Sequence, residues 1–247
     1  MKKTLLSILS FMIAMSLSAQ ITGKVLDNQS MKSNILKMDR KYAVYLPPDY
    51  FASGRSCPVL YLLHGAGDDH TGWVQFGEVQ HIADKAILSG SATPMIIVMP
   101  DASTGTRGYV NDAKGEWRYE DFFIEEFIPF IEKTYRIKGT KRFRAISGLS
   151  MGGEGTFMYA LRHPELFSSA CPLSAATGPA TVEEMNNYML WNTGEIPDAQ
   201  KKAYFEKYSV LQLIDAMKDN QKRAVRWYID CGDDDFLYEG NSLVHIA

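Results

Sequence analysis

Residues 146–155 read Ile-Ser-Gly-Leu-Ser-Met-Gly-Gly-Glu-Gly, and this stretch limits the fold more than any other in the chain. Its centre, Gly148-Leu149-Ser150-Met151-Gly152, is a G-x-S-x-G pattern. Residues 141–146 have the composition of a strand, and residues 156–162 continue as a helix. A strand that turns at once into a helix holds the central residue in strained geometry, and side chains at Gly148 or Gly152 would clash. Such a turn lifts the Ser150 hydroxyl clear of a sheet. It also sets that hydroxyl at a helix N-terminus, where backbone dipoles favour developing negative charge. A bare pattern of this kind also describes an ordinary glycine-rich turn, so the flanking strand, helix and third glycine carry the weight.

The chain has 247 residues, 46% of them hydrophobic and 22% charged, which suits a single globular domain. A net charge of −3 argues against nucleic acid or an anionic membrane as partner. The first residues differ from the rest. Lys2-Lys3 precedes an apolar run from Leu5 to Leu17, followed by the small residues Ser18-Ala19. This predicts a secretory signal over residues 1–19, too short to span a membrane comfortably, and an exported domain over 20–247 in the periplasm or beyond. Cys57, Cys171 and Cys231 match no metal or disulfide framework. Export permits a Cys171–Cys231 disulfide if their strands are neighbours, although their apolar surroundings suit free buried thiols better.

Residues 21–46 read as β structure ending at Pro47-Pro48. The apolar runs 58–63 and 95–99 read as strands buried on both faces. Helices are expected over 79–88, over 119–135 with a kink or late start at Pro129, and over 199–217. Further strands are expected over 168–173 and 224–230. Strands alternating with helices describe an open, mostly parallel sheet with helices on both faces, whose ligands bind at the strands' carboxyl ends. Three features fall at such ends: His64-Gly65-Ala66, Ser150, and Gly232-Asp233-Asp234-Asp235.

With these segments the chain resembles an esterase family of α/β-hydrolases that includes feruloyl and acetylxylan esterases, S-formylglutathione hydrolases and the mycolyltransferase antigens. The resemblance rests on Leu62-Leu63-His64-Gly65, Gly72-Trp73, residues 148–153, residues 162–167, Asp230-Cys231-Gly232 and Asp235-Phe236-Leu237. It implies an α/β-hydrolase fold with Ser150 as nucleophile and the amides of Ala66 and Met151 as oxyanion hole. It implies Asp235 as the acid, with Asp234 in reserve. The implied activity is an exported serine ester hydrolase that removes feruloyl or acetyl groups from plant polysaccharide without metal or cofactor.

The resemblance also calls for a histidine after one more helix and strand beyond the acid. The chain ends at Ala247, twelve residues after Asp235. His64, His70, His81 and His163 read as structural or exposed, and a helix from about Asn241 would carry His245 away from the strand ends. The expectation is a domain whose C-terminal strand and catalytic histidine lie outside the sequence. The rival readings are a formylglutathione-type thioesterase, an acyltransferase, and a glycan-binding protein that keeps the esterase fold without catalysis. The loop 103–115 and the segment 178–198 are expected to frame an acyl pocket. Trp73, Trp117, Tyr119 and Trp191 are its aromatic walls or else core packing.

Overall fold

The computed structural model describes residues 22–103, 107–194 and 196–247; the expected secretory signal lies outside the described residues. Seven strands form one sheet: β1 (Lys24–Ser33), β2 (Met38–Leu46), β3 (Val59–Leu63), β4 (Ile96–Pro100), β5 (Arg144–Leu149), β6 (Ser169–Leu173) and β7 (Arg226–Trp227). Their spatial order is β1-β2-β4-β3-β5-β6-β7. β1 and β2 pair antiparallel, β2 meets β4 antiparallel, and the five strands from β4 to β7 run parallel.

Alternation along the strands divides the core between the two faces. Tyr42, Val44, Tyr61, Leu63, Ile96 and Val98 contribute to the larger apolar cluster. The intervening Ala43, Tyr45, Leu62, Ile97 and Met99 contribute to a smaller one, which packs under helix α1 (Val79–Leu88). Strands covered on both faces therefore read as unbroken apolar runs.

The expected helix over 119–135 is divided. A π-helical stretch, Phe122–Phe127, leads into α2 (Ile128–Thr134), which has Pro129 in its first turn. Proline donates no hydrogen bond and crowds the preceding turn, so the wider π spacing accommodates it. Helix α3 (Met151–Arg162) follows β5 and is buried almost all round. The region 199–217 forms two helices, α4 (Asp198–Tyr208) and α5 (Val210–Ala216), because Ser209 leaves the helical backbone and caps α5. The last helix is α6 (Tyr238–Ile246).

β7 is shorter than the expected 224–230. The amides of Tyr228 and Asp230 still donate to Ala170 and Pro172, so the chain stays beside β6 past Trp227. All three cysteines are free, so the Cys171–Cys231 bridge is absent.

Candidate active site

Ser150 forms the junction of β5 and α3, with φ 57° and ψ −113°. A left-handed backbone at a residue with a Cβ is strained and persists only where neighbours hold it. Here the Ser150 amide donates to Leu173 at 3.0 Å, and its carbonyl accepts from Ala176 (3.0 Å) and Glu154 (3.1 Å). The flanking glycines allow the close approach. A Cβ on Gly152 would lie 2.5 Å from the Leu63 carbonyl oxygen and 2.8 Å from that of His64. A Cβ on Gly148 would lie 2.4 Å from the Gly152 oxygen.

The end of β3 is thus pressed against the serine turn. A Cβ on Gly65 would sit 3.7 Å from the Ser150 Cβ, so the exposed Ala66 continues the loop beside the serine. Met151 is the first residue of α3, where an amide has no partner within the helix. The loop after β3 is braced from beneath. The Tyr109 hydroxyl accepts from the His64 amide at 2.8 Å, and the Trp73 indole donates to Leu63 at 3.0 Å. Neither role was readable in the sequence, because both partners are backbone atoms.

His64 is part of this brace. Its Nε2 accepts from the Ala102 amide at 2.9 Å, so Nδ1 carries the proton and donates to the Gly65 carbonyl at 2.8 Å. Burial lowers its pKa, which keeps the ring neutral. His163 caps the far end of α3 and bonds Glu120 at 2.9 Å. His81 is exposed on α1, and His70 is buried beside Asp69. His245 is exposed on α6 and lines a groove together with Phe157 and Leu161 of α3. No histidine ring is hydrogen-bonded to Ser150 among the described residues.

Of the three consecutive aspartates, Asp233 and Asp234 are exposed and Asp235 is half-buried. The Leu237 amide donates to Asp235 at 2.9 Å. That bond, with the Ser174 hydroxyl, lowers the Asp235 pKa. Ser174 directly follows β6, so Asp235 stands at the carboxyl end of the strand next to β5. Trp117, Tyr119 and Trp191 belong to the core, and Trp73 is half-buried. A Cβ on Gly108 would lie 3.4 Å from the Met151 sulfur and 3.9 Å from Leu190, so Leu190 and the Met151 side chain both come close to the loop at Gly108.

Residues 33–247 match the family described as "Putative esterase". The chain belongs to this esterase family. It is 39% identical over 145 residues to an endo-1,4-beta-xylanase/feruloyl esterase of Xylanibacter ruminicola, covering 54% of this chain and 19% of that protein. It is 38% identical over 143 residues to Esterase Rv1288 of Mycobacterium tuberculosis, covering 56% and 29%. The chain thus spans less than a third of these curated relatives. A solved ferulic acid esterase superposes with a TM-score of 0.78 at 34% identity, covering 91% of this chain and 84% of that one. The S-formylglutathione hydrolase of Mus musculus is 26% identical over 241 residues, covering 89% and 78%. These esterases share the α/β-hydrolase fold expected from the sequence, with its mostly parallel sheet.

Proposed function

We propose that the chain is the hydrolase domain (residues 20–247) of an exported serine esterase that removes feruloyl or acetyl groups from plant polysaccharide. The observation that carries this reading is the strained Ser150 turn, set at a helix N-terminus with Gly65 and Ala66 beside it. Ser150 attacks the ester carbonyl, the alcohol leaves, and water releases the acid from the acyl-enzyme. The amides of Ala66 and Met151 stabilise the oxyanion, each worth about 3–4 kcal/mol of barrier. Asp235, held ionised by Leu237 and Ser174, orients the base and supports its positive charge.

The reading requires a histidine as that base, and no histidine ring among the described residues is hydrogen-bonded to Ser150. The reaction needs no metal or cofactor, and the polysaccharide preference is supported by the likeness to the xylanase/feruloyl esterase. The test uses protein expressed from the complete reading frame and assayed on methyl ferulate, acetylated xylan and S-formylglutathione. Turnover of the first two, abolished by Ser150→Ala, supports the reading. Turnover of S-formylglutathione alone favours a thioesterase, transfer of the acyl group to a sugar favours an acyltransferase, and glycan binding without turnover favours a non-catalytic protein.

A further inference from the structure

The first turn of α3 carries a carboxyl that the ester chemistry does not use. Glu154 is 2% exposed, and its amide donates to the Ser150 carbonyl, so it lies one turn from the serine. The Trp191 indole N–H donates to Glu154 Oε1 at 2.8 Å. The Tyr188 hydroxyl faces the same carboxyl without a well-aligned hydrogen bond. Gly178, at φ 78°, completes the enclosure: a Cβ there would come 2.9 Å from the Trp191 ring and 3.8 Å from Glu154 Oε1.

Trp191 gathers the surrounding segment. Its carbonyl accepts from the Ala113 amide, and its ring meets Tyr204 edge-on at 5.3 Å between centroids. Residues 178–194 have only two 3₁₀ turns of their own, Glu184–Asn187 and Met189–Trp191. Their position therefore depends on such anchors. The same segment supplies Leu190, which with the Met151 side chain comes within 4 Å of where a Cβ on Gly108 would lie.

We propose that Glu154 is a positioning residue: through Trp191 it fixes the 178–194 segment on the nucleophile helix and so sets the wall that receives a bulky acyl group. This rests on the serine esterase reading. Protonation governs the anchor. The groups facing the carboxyl are the Tyr188 phenol from the segment and the Tyr204 phenol from α4, with Asp112 beyond them bonded to Asn192. Burial raises the Glu154 pKa to about 7 even though the Trp191 and Tyr188 contacts oppose it. Below that pH the carboxyl is neutral and the segment sits tight. Above it a buried anion favours a loosened, hydrated segment.

The test compares wild type, Glu154→Gln and Glu154→Ala in the full-length protein, on methyl ferulate and on p-nitrophenyl acetate. Glu154→Ala should raise KM for the ferulate about tenfold, with kcat within about threefold and the acetate little affected. Glu154→Gln keeps an acceptor for Trp191, so it should restore KM and remove its rise between about pH 6 and 8. Tryptophan fluorescence of wild type should show a transition near pH 7 that is absent from Glu154→Gln and from Trp191→Phe. An equal loss on both esters, or a flat fluorescence titration, overturns the proposal. If wild type hydrolyses neither ester, the esterase reading fails, while the titration still decides whether Glu154 governs the segment.

Discussion

Ser150 keeps its left-handed backbone because three hydrogen bonds over-determine it, from Leu173 on one side and from Ala176 and Glu154 on the other. The strain costs on the order of 1–3 kcal/mol and belongs to the residue's Cβ. Ser150→Ala keeps that Cβ and loses only the hydroxyl, so it should abolish hydrolysis while folding as wild type does. Ser150→Gly should be equally inactive yet more stable than Ser150→Ala by about 1 kcal/mol in urea titration. Equal stability of the two would show that the turn is not strained. Gly152 behaves oppositely, since the oxygens its Cβ would meet are backbone and cannot swing aside. Gly152→Ala should cost about 3 kcal/mol or prevent folding, read from the denaturation midpoint. These glycines and the serine were legible because a spacing announces a turn. The grip on Asp235 by Ser174 was not, since the two lie far apart in sequence and meet only when β6 and β7 pair. The burial of Glu154 was not legible either, since an acid in a first helical turn carries no sign that its helix is enclosed, as α3 is.

Among the elements, α3 is fixed at both ends, at the serine by backbone and at its C-terminus by charge. Glu120 is buried, accepts from Arg162 at 2.7 Å and from the Tyr208 hydroxyl at 2.9 Å, and bonds His163 at 2.9 Å. This ties the entry to the π-helical stretch, the end of α3 and the end of α4 together. Burial alone would raise the Glu120 pKa, but the bonds from His163 and Arg162 outweigh it and lower the pKa to about 2. A carboxyl held below its unfolded value of 4.5 stabilises above that value, and the contribution is lost as pH falls through about 2. The shift corresponds to about 3 kcal/mol at neutral pH. Glu120→Gln should therefore lower the thermal midpoint at pH 7 and flatten the acid limb of the stability curve between about pH 4.5 and 2. An unchanged acid limb would mean that other carboxylates carry it. Strands and α1 were readable from apolar runs and periodicity. The division of residues 199–217 turned on Ser209, whose capping role depends on a backbone that leaves the helix there. Among the described residues the short β7 stands at the sheet edge, with a neighbour on one side only.

Across the whole molecule, two buried acids bend the stability profile in opposite directions. Glu120 adds stability as pH rises from about 2 to 4.5. Glu154 is raised from 4.5 to about 7, so its contribution is complete below 4.5 and is lost as pH rises through about 7. His64 opposes Glu154 in the same upper range. Its pKa is lowered by burial, so the protein gains stability as the unfolded chain's histidine loses its proton near 6.5. The net wild-type slope between about pH 5 and 8 therefore combines opposed contributions and identifies neither group. The mutant comparison does. Subtracting the Glu154→Gln profile cancels His64 and every other shared group, leaving a component that falls by about 2–3 kcal/mol between about pH 5 and 8. Urea titrations at several pH values measure it directly, and they do not require the enzyme to turn over. A difference profile that is flat, or that rises with pH, would mean that Glu154 is already ionised at neutral pH and that the Trp191 anchor rests on a charged acceptor.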